Sequence, residues 1–182
     1  SDELSNILKG MLRYSTNITA EMVGMSATLK RIGNMQNLES SASEMNRWAE
    51  VTMGLQDIRL VDHSGLSGRS RMNSDDMVIA LIKVDTKETL RPILKPVAMR
   101  DNKGRPIKAH PIKVDAKTGT LNFVSGLAGY ITAHDGTVMA FAIFAADNET
   151  RSQLAKTNRE APQGARPWNR RAKTMQQKLI KR

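Results

Sequence analysis

The sequence predicts an α+β domain: helices first, then an antiparallel three-strand meander, then a closing helix. Three observations predict it. Apolar residues recur at helical spacing through the N-terminal part of the chain, and the period changes to two at Ile112. The composition, 40% apolar and 25% charged, is that of an ordinary globular chain. At 182 residues the chain is long enough for one domain with a sizeable core.

Each element has its own signal. Leu4, Ile7, Leu8, Met11 and Leu12 form one helical stripe, and Ile18, Met22, Met25, Leu29 and Ile32 form a second, closed by Gly33-Asn34. Tyr14-Ser15-Thr16-Asn17 falls between the two stripes, at a helix–helix junction. Ser41-x-x-Glu44 has the pattern of a capping box, with Met45, Trp48, Thr52 and Leu55 continuing a third helix behind it. Residues 58–61 read as a short strand before the turn-rich Asp62-His63-Ser64-Gly65-Leu66-Ser67-Gly68. Ser74, Asp75 and Asp76 look like the acidic start of a fourth helix through Val84. Four prolines and Gly104 make residues 91–111 mainly turn and loop.

Ile112, Val114 and Ala116 then alternate with Lys113, Asp115 and Lys117, as in a half-buried strand. Residues 124–133 are a strand rich in glycine and alanine, which predicts that something packs closely on it. Asp135-Gly136 is a hairpin signal. Val138–Ala146 is almost unbroken apolar sequence, as expected of a central strand covered on both faces. Pro167-Trp168-Asn169 opens a last helix whose apolar side includes Trp168, Ala172, Met175 and Leu179. Three strands are few, and an apolar strand should not end as an unpaired edge. A neighbouring strand is therefore expected from sequence outside these 182 residues.

Two short motifs carry chemistry. Lys117-Thr118-Gly119-Thr120 ends a strand, presenting a cation and a hydroxyl where glycine lets a backbone approach. Such a trio suits a carboxylate-bearing substrate, and the Thr120 N–H could face a developing oxyanion. Strict alternation puts Lys117 and Thr118 on opposite faces, so strand twist at a sheet edge would have to bring them to one cleft. Ser15 can relay a proton, and Asn17 can hold a substrate amide with both donor and acceptor. Either motif alone is weak: Ser15, Thr16 or Asn17 could merely cap a helix.

Together they are two thirds of the active-site set of penicillin-binding enzymes, and the third, Ser-x-x-Lys, is absent from this sequence. The flanks extend the likeness through Met11-Leu12-Arg13-Tyr14-Ser15-Thr16-Asn17-Ile18-Thr19-Ala20-Glu21, Val61-Asp62-His63-Ser64-Gly65-Leu66-Ser67, and Ala116-Lys117-Thr118-Gly119-Thr120-Leu121-Asn122 with Val124-Ser125-Gly126-Leu127-Ala128-Gly129-Tyr130. On these residues the chain resembles the low-molecular-mass, class C penicillin-binding proteins. These are D-alanyl-D-alanine carboxypeptidases and endopeptidases of peptidoglycan with inserted domains.

The resemblance implies a penicillin-binding-protein/β-lactamase-like transpeptidase fold, here partial, with residues 1–182 forming the C-terminal part of the catalytic domain. It implies that Ser15 lies in the proton network of the leaving amine and that Asn17 binds substrate backbone. Lys117 would support that network, Thr118 would bind the terminal carboxylate beside Gly119, and the Thr120 N–H would be half of an oxyanion hole. It implies stem peptides ending in D-Ala-D-Ala as substrate, β-lactams as acylating ligands, the N-terminal half of the same protein as partner, no cofactor, and a periplasmic or cell-envelope location. Without the nucleophile segment this chain alone is expected to be inactive. His63 departs from the glycine expected there.

Other classes stand beside this one. A β-lactamase shares the motif logic but must deacylate quickly. A non-catalytic cationic module that binds envelope polymer or nucleic acid is favoured by the charge of +10, because residues 166–182 hold seven basic residues and no acidic one. A 4% aromatic content offers no stacking platform for bases, which argues against nucleic acid. His63, His110 and His134 have no metal-ligand spacing, and the eleven methionines fall mostly on helix stripes. There is no cysteine, no signal-like N-terminus and no apolar run of membrane-spanning length.

Overall fold

The computed structural model describes residues 3–85, 89–154, 160 and 162–181. The chain divides into two compact units, Ser1–Leu94 and Lys95–Arg182.

The first unit is helical. α1 (Leu4–Tyr14) ends at Ser15, which takes a left-handed conformation at φ 54° and donates its N–H to Met11 O. α2 (Asn17–Ile32) starts after a single extended residue, Thr16, and stops at Gly33, whose φ of 78° only glycine adopts without strain. α3 (Leu38–Trp48) starts earlier than the apparent capping box suggests. Asn37 is the cap: its Oδ1 accepts from Ser40 N, and Ser40 Oγ accepts from Asn37 N. Ser41 is fully buried instead, which removes it from the solvent-facing position a cap occupies. α3 widens into a π-helical turn, Ala49–Met53, that Gly54 ends, so Leu55 packs beyond the helix with Ala49 and Ile58.

The expected strand at 58–61 is reduced to one bridge, Arg59 to Arg71, because the side chain of Asn46 takes both backbone groups of Leu60. α4 (Ser74–Asp85) begins at Asn73, whose Oδ1 caps Asp76 N at 2.7 Å. Asp76 is buried because it in turn accepts from Gln56 N and Asp57 N.

The second unit is a sheet and its covering helix. The meander expected from the sequence is present as β2 (Lys113–Leu121), β3 (Val124–Thr132) and β4 (Val138–Ala146). A two-residue strand, β1 (Lys95–Pro96), extends it to four, in the order β1-β2-β3-β4, antiparallel throughout. β1 falls in the proline-rich stretch read as loop. Proline lacks an N–H and is tolerated only on a sheet edge, which is where Pro96 sits.

A two-residue turn, Asn122-Phe123, joins β2 to β3, with Phe123 at φ 60° and its ring edge-on to Trp168. The Asp135-Gly136 hairpin forms, with Gly136 at φ 88° and Asp135 accepting from Thr137 N. α5 (Asn148–Gln153) follows β4, and α6 (Ala165–Ile180) lies on one face of the sheet. Gln176 is buried there and donates to Ser125 O and Ile143 O, while Ile180 joins Met99, Val114, Ala116 and Leu127 in the core. Trp168 and Ala172 face inward as expected, but Met175 and Leu179 are exposed.

β4 also departs from expectation. Val138, Met139 and Phe144 are exposed, and among the described residues no strand pairs with its outer edge. Its apolar sequence asks for more cover than these residues give.

Candidate active site

Ser15 and Asn17 sit where the sequence places them, at the break between two helices. The αL residue Ser15 and the extended Thr16 turn the chain, and Asn17 is the first residue of α2; all three are exposed. Thr16 occupies the cap position of α2 without a side-chain cap hydrogen bond. One turn further along α2, the Glu21 carboxylate accepts from His63 N (2.9 Å) and Ser64 N (3.1 Å), fastening the 62–68 loop to the helix that begins at Asn17. Asp62, which is buried, accepts from Ser67 N and Ser70 Oγ, both at 2.7 Å, so this loop is closed from within.

His63 stands where the resemblance leads one to expect glycine, and its ring has a definite place. It lies over Gly24 of α2: a Cβ there would come within 2.2 Å of the imidazole. Nε2 lies 2.9 Å from Ser41 Oγ, and Nδ1 lies 3.4 Å from the Met45 thioether. Ser41 gives its one proton to Thr28 Oγ1, so His63 Nε2 is the donor to Ser41. A proton on Nδ1 would find only a weak sulfur acceptor. Burial accordingly holds the imidazole below its ordinary range, against the opposing pull of Glu21 and Asp62. No local signal in the sequence could reveal this packing, because its partners come from two other helices.

In the second unit, Lys117, Thr118, Gly119 and Thr120 occupy the C-terminal half of β2, opposite Ala128, Leu127, Gly126 and Ser125. The strand keeps its alternation, so Lys117 and Gly119 lie on one face and Thr118 and Thr120 on the other. On the Lys117 face, Ala128 and Ala142 are its cross-strand row, and Gly119, Gly126 and Phe144 form the next. Burial lowers the Lys117 pKa, and the nearby Lys95 charge lowers it further. Its Nζ donates to Thr118 O. Thr118 and Thr120 are exposed on the face that carries α6.

The backbone is more informative than the side chains. Val97 N–H donates to Val114 O, so Val114 directs its polar groups outward to β1. Alternation then turns the N–H and C=O of Ala116, Thr118 and Thr120 outward too. β1 stops at Ala116, so among the described residues the β2 edge is unpaired at Thr118 and Thr120. An extended peptide could add there as a strand, with the Thr120 N–H facing it.

This combination of helices and an antiparallel sheet matches the fold of penicillin-binding-protein 4 structures. The structure of penicillin binding protein 4 from Haemophilus influenzae matches with a TM-score of 0.69 at 20% identity, over 96% of this chain and 39% of that one. The penicillin G-acylated Bd3459 predatory endopeptidase of Bdellovibrio bacteriovorus, solved in complex with immunity protein Bd3460, matches with a TM-score of 0.64 at 18% identity, over 99% and 45%. Carboxypeptidase DacB of Mycolicibacterium smegmatis is 26% identical over 149 residues, 75% of this chain and 32% of the relative. The D-Ala-D-Ala carboxypeptidase 3 (S13) family matches residues 1–165, and the chain belongs to that family. It spans about a third of the length of the curated relative. Among the described residues no helix is long and apolar enough to cross a membrane.

Proposed function

We propose that this chain is the C-terminal portion of the catalytic domain of a serine-type D-alanyl-D-alanine carboxypeptidase/endopeptidase acting on peptidoglycan peptides in the bacterial envelope or periplasm. The unpaired β2 edge at Thr118 and Thr120, beside the partly buried Lys117, is the observation that carries the reading. A stem peptide ending in D-Ala-D-Ala adds to that edge. Thr118 takes the terminal carboxylate, Gly119 keeps the approach open, and Thr120 N–H polarises the scissile carbonyl. Asn17 binds the peptide backbone. Ser15 and Lys117 serve the proton that moves from the attacking serine to the leaving amine. The serine Oγ–carbonyl bond forms as the C–N bond breaks, and water then releases the acyl group.

The nucleophile and its lysine come from sequence beyond these 182 residues, since no serine here has a lysine three positions on. The chain alone is inactive on this reading, and a β-lactam acylates only the assembled protein. The test is co-expression with the upstream half of the same gene, penicillin treatment and intact-mass analysis. A penicilloyl adduct on the upstream chain, lost with Lys117→Ala, is the expected result. A stable complex that forms no adduct would refute the assignment.

A further inference from the structure

The proposed reaction leaves one cation at the open edge of β2 without a task. Lys95 is the β1 residue nearest the unpaired stretch, because β1 runs antiparallel to β2 and its pairing ends at Ala116. Directly paired residues share a face of the sheet, and Ala116 is buried in the core with Ile180 of α6. Lys95 is therefore on the face of Thr118 and Thr120, not on that of Lys117. Thr118 lies two residues along β2 from Ala116, which makes it the diagonal neighbour of Lys95, at a spacing of roughly 7–8 Å that a lysine side chain can span. Lys95, Thr118 and Thr120 accordingly line one groove.

Lys117 reaches the same stretch from the other face. Its Nζ donates to Thr118 O, which alternation directs outward at the edge. The two lysines are close enough for the Lys95 charge to lower the Lys117 pKa, after the larger effect of burial. An anion placed beside both would relieve that repulsion. Lys95 is ion-paired to no described residue. The one acid along the groove, Asp101, is held by Arg105 through backbone and side chain.

The division of labour follows from the donors. A threonine hydroxyl can donate to a carboxylate and to an amide oxygen alike, so Thr118 alone separates the two poorly. An ammonium adds a charge that favours the carboxylate. Lys117 is occupied with the proton in the proposed reaction, which leaves Lys95 to make the distinction.

We infer, on the reaction proposed above, that Lys95 is a specificity-determining residue of this site. With Thr118 it holds a free carboxylate on the residue that leaves. The site therefore selects peptides whose leaving residue is an acid over peptides in which that residue is amidated.

The test uses the assembled protein, this chain co-expressed with the upstream half of its gene. Steady-state kcat/KM is compared for diacetyl-L-Lys-D-Ala-D-Ala and for the same peptide ending in a carboxamide. The parent should prefer the acid. Lys95→Gln should lower the acid-to-amide ratio at least about fivefold, as expected for one partly exposed charge pair. Lys95→Glu should lower it further, by roughly 25-fold, as attraction becomes repulsion, and Lys95→Arg should keep most of it. Lys113→Gln removes the same charge at the far end of β2 and should leave the ratio as it is. An effect of Lys95 on the basicity of Lys117 falls on both peptides and cancels in the ratio. With hydrolysis retained, three results would overturn the role of Lys95 and leave the reaction standing: no acid preference in the parent, an unchanged ratio in Lys95→Gln, or an equal fall in Lys113→Gln. Hydrolysis of neither peptide by the parent would overturn the proposed reaction and this role with it.

Discussion

At Gly24 and His63 two residues thirty-nine positions apart share one space. The imidazole occupies the volume that any side chain at position 24 would need, and Ser41 and the Glu21 clasp keep it there. Alanine is favoured over glycine inside a helix by up to about 1 kcal/mol. The clash should outweigh that preference: Gly24→Ala should lower stability by about 1–3 kcal/mol in urea titration. Adding His63→Gly should recover most of the loss, since the two sites are coupled. Additive effects would mean the ring is not what fills the space. The same imidazole makes stability depend on pH. Its folded-state pKa is lowered, so below the ordinary value of about 6.5 the unfolded chain takes the proton more readily. Stability contributed by neutral His63 is full above that value and declines as pH falls through it. The urea midpoint should drop between about pH 7.5 and 5.5, and His63→Gln should flatten that drop. Neither effect was legible in the sequence, where Gly24 is one helix residue among sixteen and His63 one loop residue.

Among the elements, β3 shows what its small residues are for. A Cβ at Gly129 would meet Asp115 O at 2.2 Å and Ala116 Cα at 2.6 Å, and backbone atoms of a paired strand cannot step aside. Gly129→Ala should therefore cost about 2–4 kcal/mol, whereas Gly126→Ala, whose nearest contact would be Phe144 at 3.5 Å, should be tolerated. Thermal melts of the two variants make the comparison, and equal losses would remove the packing explanation. The close approach at this strand was legible from its glycine and alanine content. So were the Asp135-Gly136 hairpin, the Gly33 stop and the acidic start of α4, each set by residues adjacent in sequence. What was not legible depends on distant partners. Ser41 has the residue type of a cap but is claimed by Thr28 and His63, and β1 is a strand only because Val114 offers a carbonyl to Val97.

For the molecule as a whole, the telling quantity is apolar surface left uncovered. Phe144, Met139 and Val138 on β4, and Met175 and Leu179 on α6, are all more than 36% exposed. Ile18 and Met22 on α2 are exposed as well. The chain alone should therefore associate or melt without sharp cooperativity, which sedimentation velocity and a concentration series of melts would detect. A sharp, concentration-independent melt of a monomer would show that the described residues are self-sufficient. Ser15–Asn17 lies at the break between α1 and α2, and Lys117–Thr120 lies on β2, as residue type and order placed them in the chain. The structure adds the directions: outward backbone groups at Thr118 and Thr120, and side chains of Lys117 and Thr118 on opposite faces.

The brevity of β1 sets a length scale. Pro96 and Lys95 pair only with Asp115 and Ala116, and β2 ends at Leu121, so the open stretch of edge is five residues, Lys117 to Leu121. At about 3.4 Å per residue that is a berth of roughly 17 Å. An extended chain longer than this must bend away at β1 or pass beyond the strand end. On the proposed reading, this berth bounds how many residues of an added peptide can pair with β2, whatever the length of the peptide.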